Sequence, residues 1–374
     1  MEAKRTPILK KPGVQTLLAS LLCVVLGVLI GYVALLIINP EGAWDAIMAV
    51  LKNFWTYSRS ALQMKNLGNT LVKTAPLIMC SLSILFAYKV GLFNIGAAGQ
   101  YVAGAAASLY TALAWGWPWW ASMLAALLAG ALLGLISGAL KAYRNVNEVI
   151  SCIMLNWIML YVANALLNTV KDSASPYTLT LKATNPAALL PNAGLHLLFT
   201  KNIYVTIAIP MAVIIALLIW VFLAKTKLGF ELKATGLNKN AAKYAGMREK
   251  YNTILTMAIA GGLAGIGASM FYQSGFEEWM CTQSSVPAMG FNGIAAAFLG
   301  GLNPLGAVLS SFFIQHITSG GAYVDKTMYC SQISDFISSM IIYLCGFVLF
   351  FKHCMNRAID RKAEKTILKG GDTK

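Results

Sequence analysis

Apolar runs long enough to cross a membrane as helices dominate this chain. Eight are evident, at 17–38, 69–88, 95–114, 119–140, 149–168, 203–224, 252–273 and 332–351. Each approaches the roughly 20 apolar residues that span the hydrocarbon layer. Two shorter runs, interrupted by glycines, lie between 284 and 320. The pattern predicts an all-α polytopic membrane protein with about ten transmembrane helices.

Composition and charge agree with this class. The 374 residues are 58% hydrophobic and 11% charged, which excludes an ordinary soluble globule. The net charge of +15 could indicate a nucleic-acid partner, but 21 of the 29 Lys and Arg residues fall in alternate connections and the two tails. This asymmetry is typical of cytoplasmic segments, and the basic residues there contact lipid headgroups. We therefore predict cytoplasmic N- and C-termini, membrane lipid as a partner and no nucleic acid.

The predicted spans divide the chain into three parts. A cytoplasmic basic tail covers 1–16, the transmembrane domain covers 17–351, and a cytoplasmic tail covers 352–374. Within the domain, 169–202 forms a predicted external loop broken by three prolines. The connection 225–251 is the longest one predicted on the cytoplasmic side, and we expect it to form a short amphipathic helix.

One junction between apolar runs lacks the polar loop that is normal there. Residues 88–100 read Y-K-V-G-L-F-N-I-G-A-A-G-Q. Irregular backbone at membrane depth must be packed in protein or line a wet cavity, because lipid cannot hydrogen-bond to it. Asn94 and Gln100 carry amides that can bind a neutral polar solute, and Phe93 offers a flat ring. We predict the wall of a solute pathway here, with helix packing through small residues as the alternative.

Two further polar residues lie in or beside predicted spans. Asn156 falls about two helical turns into the fifth span. An unpaired amide is costly there, so Asn156 either bonds to a neighbouring helix or faces the pathway. Glu148 follows Asn145 with the spacing of a capping box, and a role for Glu148 at a cytoplasmic interface is equally open.

The second half of the chain weakly echoes the junction. Residues 290–297 read G-F-N-G-I-A-A-A, similar to F-N-I-G-A-A at 93–98. The two segments fall in predicted spans of opposite direction, which favours two inverted five-helix repeats with the solute site where broken helices meet. Phe291 and Asn292 thereby join the candidate pathway residues.

The junction also carries a family resemblance. The runs G-L-F-N-I-G at 91–96, G-Q at 99–100 and N-E-V-I at 147–150 resemble permease subunits of bacterial ABC importers for simple sugars and nucleosides. The larger permease of the purine nucleoside branch is most similar. That family usually has a glutamate before the Gly-Gln pair, where this chain has Ala98.

The connection 225–251 extends the resemblance. Its pattern K-A-x-G-x-N-x-x-A-A-x-x-x-G resembles the loop by which such permeases dock on their ATPase. A solvated basic loop is the alternative. The residues that the resemblance assigns to ATPase coupling are Lys233, Gly236, Asn238, Ala241, Ala242 and Gly246.

The resemblance implies the permease of an ATP-driven importer in the bacterial cytoplasmic (inner) membrane, working by alternating access. Its expected partners are a second permease (a paralogue or another copy of this chain), a cytoplasmic ABC ATPase and an external solute-binding protein. Nucleoside is the predicted solute, and a monosaccharide such as ribose or galactose is the alternative.

The chain itself contains no recognisable energy source. A G-x-x-x-x-G-K-[ST] loop is missing from the sequence, and the three histidines are dispersed. We therefore predict a transport subunit rather than an enzyme, without a cofactor of its own, whose partner ATPase binds ATP and Mg²⁺. An ion-coupled carrier acting alone is a weaker alternative, because carboxylates within the predicted spans are scarce.

The seven cysteines show neither a C-x-x-C motif nor histidines at metal-ligand spacing, so no metal site is predicted. Cys281 and Cys330 differ from the others, because both fall in predicted external loops. Oxidation can join them there in a disulfide.

Overall fold

The computed structural model describes residues 12–330, 332–348, 350–354 and 356–357. Most of the predicted basic tail 1–16 and of the predicted tail 352–374 lies outside these residues. The regular structure described consists of helices and two isolated β-bridges. In chain order the α-helices are α1 Pro12–Ile38, α2 Ala43–Lys52, α3 Ser60–Lys89, α4 Ala97–Ala114, α5 Trp119–Arg144, α6 Glu148–Leu167, α7 Leu181–Thr184, α8 Leu195–Leu198, α9 Ala208–Lys225, α10 Lys227–Leu237, α11 Lys239–Tyr244, α12 Glu249–Tyr272, α13 Met289–Leu299, α14 Pro304–Gly320 and α15 Ile333–Cys345.

Six helices of the described chain are long and apolar enough to cross a membrane, namely α1, α3, α5, α6, α9 and α12. The predicted class, an all-α polytopic membrane protein, is confirmed. Helix α3 begins at Ser60, well before the predicted start at 69, and α13 has only 11 residues. The count of ten spans, the inverted repeats and the cytoplasmic termini stay predictions.

Polar caps set the starts of several helices. The side chains of Asn147, Asn238 and Asn303 accept hydrogen bonds from backbone N–H groups in the first turns of α6, α11 and α14. The predicted capping box is wrong, because Asn145 ends α5 in a left-handed conformation. Glu148 instead forms a 2.7 Å ion pair with Lys141.

The core of the bundle is built around α3 and α12, whose apolar spans are mostly buried. Helices α12 and α5 touch through their backbones along a glycine seam formed by Gly130, Gly134, Gly261 and Gly265. A Cβ atom on Gly261 would lie 2.2 Å from the Gly130 carbonyl oxygen, and one on Gly134 would lie 2.0 Å from that of Met257. Only residues without side chains permit this approach.

The bundle has two distinct ends. The long-loop end contains residues 171–202, whose Asn185 donates to the carbonyls of Ala112 and Trp117. The short-helix end contains α10 and α11, where Asn252 of α12 donates to Thr235 over 2.8 Å. Successive long helices run between these two ends.

A buried tryptophan fixes the segment that follows α12 at the long-loop end. The Trp279 side chain is fully buried, and its Nε1 donates to Asn164 Oδ1 over 3.0 Å. The Asn164 Nδ2 donates in turn to the Gln283 carbonyl over 2.8 Å. An antiparallel bridge between Tyr177 and Met280 ties the long loop to the same segment. Residues 279–283 are thereby held against α6 and the long loop.

Candidate solute pathway and coupling surface

The predicted break between α3 and α4 is confirmed. Helix α3 ends at Lys89 and α4 begins at Ala97, with irregular backbone between them. Asn94 is fully buried and Gln100 is 1% exposed. Their amides bond reciprocally, over 2.8 Å from Asn94 Nδ2 to Gln100 Oε1 and 3.1 Å from Gln100 Nε2 to Asn94 Oδ1. Asn94 Nδ2 also donates to Ser83 Oγ over 3.0 Å.

Asn156 completes this arrangement from α6. Its Oδ1 accepts from the Gly99 N–H over 2.8 Å, and its Nδ2 donates to the Ile95 carbonyl over 3.1 Å. Of the two alternatives for Asn156, the structure therefore displays the bond to a neighbouring helix. We call Ser83, Asn94, Gln100 and Asn156 the amide clasp. Its hydrogen bonds satisfy polar groups of the break, which lipid cannot hydrogen-bond.

The segment at 290–297, which echoes the junction in sequence, contacts it in the structure. A Cβ atom on Gly290 would lie 2.3 Å from the Cα atom of Ala98, so the start of α13 packs directly on the start of α4. A larger side chain at position 98 would face this same contact. Ala98, where the family usually has a glutamate, therefore lies at the point where α4 and α13 approach each other closely.

Of the six predicted pathway residues, Asn292 lines a sizeable cavity. The cavity has a volume of about 530 Å³ and lies towards the long-loop end, between α3, α4, α12, α13, α14 and α15. We call it the long-loop cavity. Phe93 is half-buried, and Phe291 is 37% exposed beside Asn292. Asn94, Gln100 and Asn156 lie in the amide clasp instead.

Several residues that line the long-loop cavity were not predicted from the sequence as pathway residues. Gln315 and Asp335 had a detectable signal, because they are polar residues within or at the start of apolar helices. Tyr101 and Tyr272 gave no such signal, since tyrosine is common in helix cores. The unpredicted lining residues include Lys73, Tyr101, Phe271, Tyr272, Glu277, Glu278, Gln315 and Asp335.

Acidic groups outnumber basic groups around this cavity. Glu277, Glu278 and Asp335 line it with Lys73. The Lys73 Nζ atom lies 5.3 Å from the ring centroid of Phe276. Both glutamates are solvent-exposed, so their charges act on the cavity mouth without a large desolvation cost.

The predicted coupling segment forms two helices, α10 and α11, rather than one. Ala242 is buried whereas Ala241 and Ala245 are exposed, so the three alanines do not share one buried face. The Asn238 side chain caps α11, and a Cβ atom on Gly246 would point into open space. Lys233 and Gly236 lie half-buried on α10.

Gly236 brings α10 into contact with the break between α3 and α4. A Cβ atom on Gly236 would lie 2.3 Å from the backbone carbon and oxygen of Val90. On the other side, Gly91 has a φ of +75°, which L side chains rarely adopt, and its Cβ position is 2.7 Å from the Gly236 carbonyl oxygen. Backbone-to-backbone contact thus connects the predicted coupling segment with residues that lead into the amide clasp.

Large apolar side chains protrude at the short-helix end. Tyr244 is 93% exposed and Leu237 is 88% exposed, near the basic residues Lys239 and Lys243. A groove of about 480 Å³ lies beside them, lined by Phe230, Gly246 and other residues of 227–252. Exposed apolar side chains surrounded by basic residues are typical of a protein interaction site.

The predicted disulfide is not formed in the structure. Cys281 is buried, Cys330 is exposed, and both thiols are free. Burial raises the pKa of the Cys281 thiol, which makes it less reactive. Across the described ranges, no group of three or more His, Cys, Asp or Glu side chains is arranged to hold a metal ion.

The chain belongs to the family described as branched-chain amino acid transport system / permease component, whose model matches residues 66–346. It is therefore a transport subunit and not an enzyme. Among its relatives, the nucleoside ABC transporter permease protein NupB of Lactococcus lactis subsp. cremoris (strain MG1363) is 30% identical, over 96% of this chain and 98% of NupB.

The names of two further relatives specify guanosine and glucose. The guanosine ABC transporter permease protein NupP of Bacillus subtilis (strain 168) is 30% identical over 87% of this chain and 92% of NupP. The glucose ABC transporter permease protein TsgB13 of Haloferax volcanii is 27% identical over 79% of this chain and 80% of TsgB13. Resemblance to ABC importer permeases, first noted in the residues around the break, is thus confirmed.

Proposed function

We propose that this chain is the transmembrane permease of an ATP-driven importer that moves nucleosides across the bacterial inner membrane. The observation that carries the proposal is the 30% identity, over nearly the full length of both chains, to a nucleoside permease. The guanosine relative supports the same solute class, and the glucose relative is less similar at 27%. We therefore favour nucleosides over monosaccharides.

The proposed topology places the short-helix end in the cytoplasm and the long-loop end outside. The excess of Lys and Arg in 225–251 supports this orientation. Ten spans in two inverted repeats, with both termini cytoplasmic, belong to the same proposal. The half-length helix α13 and the contact of Gly290 with Ala98 support a meeting of two broken helices.

Cysteine labelling tests this orientation. Cys330 lies near the long-loop end and Cys354 near the opposite end, and both are exposed. In variants that keep only one of these cysteines, a membrane-impermeant maleimide should label Cys330 in intact cells, and Cys354 only after permeabilisation. A variant keeping only Cys281 serves as the buried control and should stay unlabelled. Labelling of Cys354 in intact cells would reverse the topology.

Partners supply the energy and the solute in this proposal. A cytoplasmic ATPase, which binds ATP and Mg²⁺, docks on α10 and α11, and an external binding protein delivers solute at the long-loop end. A second permease completes the pathway, either a paralogue or another copy of this chain. Bacillus subtilis has two relatives named guanosine ABC transporter permease proteins, NupP and NupQ, which supports the paralogue.

The exposed side chains of α10 and α11 support the proposed docking. Replacing Tyr244, which is 93% exposed, with aspartate should weaken ATPase binding by roughly 2 kcal/mol, about 30-fold in affinity, because an aromatic anchor is lost and a charge is introduced. Pull-down of the ATPase from membranes measures the effect. Leu198→Asp, at an exposed site of the long-loop end, is the control. Equal binding by both variants would contradict the docking surface.

Reconstitution tests the function as a whole. The permease with its ATPase, second permease and binding protein should accumulate labelled guanosine in proteoliposomes only when hydrolysable ATP is present. Labelled ribose should not accumulate at the same concentration. Guanosine uptake by the chain alone, lost when an ion gradient is collapsed, would instead establish the ion-coupled carrier.

A further inference from the structure

Several neutral polar side chains line the long-loop cavity. Tyr101 is 1% exposed and Tyr272 is 6% exposed, and both line the cavity together with Asn292 and Gln315. Gln315 donates from Nε2 to Ser319 Oγ over 3.1 Å, which leaves its Oε1 available. Polar groups that converge on a cavity can bond to a ligand there.

Aromatic side chains, tilted against one another, form part of the cavity wall beside these groups. The ring centroids of Tyr101 and Tyr272 lie 6.3 Å apart, and those of Phe271 and Tyr272 lie 5.4 Å apart. Proteins hold unpaired bases by stacking them on aromatic rings and by hydrogen bonds to their edges. Amides of Asn and Gln provide both a donor and an acceptor for such an edge. The volume of about 530 Å³ falls within the range of small-molecule sites.

We propose that the long-loop cavity is a nucleoside-binding site of the permease itself, and this inference rests on the proposed function. The rings of Tyr101 and Tyr272 contact the base, and Asn292 with Gln315 bonds to its edge. Glu277, Glu278 and Asp335 accept hydrogen bonds from the ribose hydroxyls. With Lys73 as the single cation among these lining groups, the cavity repels a phosphate, so it selects nucleosides over nucleotides.

Two kinds of variant test this site in the complete transporter. Asn292→Leu should raise the KM for guanosine at least tenfold, with ATPase association unchanged. The triple variant Glu277→Gln, Glu278→Gln, Asp335→Asn should make guanosine monophosphate a competitor of guanosine uptake at a concentration at least tenfold lower than for the wild type. This second readout is a gained property, so a failure to fold cannot produce it. Glu41→Gln with Asp45→Asn and Asp172→Asn, all outside the cavity, is the matched charge control.

The outcomes separate the two proposals. If the wild type shows no ATP-driven guanosine uptake, the proposed function is wrong. If uptake is present, but Asn292→Leu keeps the wild-type KM or the triple variant excludes guanosine monophosphate as strongly as the charge control does, the binding site is wrong and the function stands.

Discussion

Replacing Gly236 with alanine is expected to reduce ATP-driven nucleoside uptake at least tenfold. The added Cβ would lie 2.3 Å from the Val90 carbonyl group, and neither partner is a flexible side chain that can turn away. The backbones of α10 and of the break must therefore separate, at a cost of about 1–3 kcal/mol typical of overpacking. This separation removes the contact that connects α10, part of the proposed ATPase-docking surface, to the amide clasp.

The experiment compares uptake with ATP hydrolysis in the reconstituted transporter. We expect hydrolysis to continue while uptake falls, because the exposed docking surface remains on the displaced helix. Gly262→Ala is the matched control, since its Cβ would meet the nearest atom at 3.5 Å, an ordinary contact. If Gly236→Ala and Gly262→Ala both transport like the wild type, the glycine contact has no role in coupling.

Replacing Asn94 with alanine is expected to lower the stability of the chain by roughly 3 kcal/mol. The change removes three buried hydrogen bonds and leaves the Gln100 amide unpaired in the core. Thermal unfolding of the purified chain measures the loss. Asn66→Ala is the control, because the side chain of half-buried Asn66 bonds to Leu62 and Asn69 of the same helix, and the variant should unfold like the wild type.

A double-mutant cycle identifies what the clasp does. If Asn94 and Gln100 act as a reciprocal pair, the loss in Asn94→Ala/Gln100→Ala will be smaller than the sum of the single losses. A direct role in the pathway predicts the opposite pattern, with unchanged stability and a raised KM for guanosine. That second pattern would restore the interpretation of Asn94 and Gln100 as solute contacts.

Much of the helical architecture follows from local sequence properties. The predicted span 149–168 corresponds to α6 at Glu148–Leu167, because apolar length alone decides a membrane helix. The break at 90–96 was also predictable, since glycines and an asparagine interrupt an otherwise apolar run. The start of α3 was not predictable, because its first turns are polar and lie outside the apolar run.

The candidate site depended on tertiary contacts that local patterns do not encode. Asn94 and Gln100 have amides suited to a solute, and only the fold shows that each satisfies the other. Tyr101, Asn292 and Gln315 come together from three helices that are far apart in sequence. A single sequence contains no measure of such proximity, so the long-loop cavity could not be predicted.

The glycine seam between α5 and α12 bears on how the protein can move. Side chains act as spacers between most helices, and their rotamer changes let one helix shift past another. Here carbonyl oxygens of one backbone rest against Cα atoms of the other, so a shift of one residue would drive a methyl group or larger into a peptide plane. The two helices therefore form one rigid unit, and any rocking during transport must move them together.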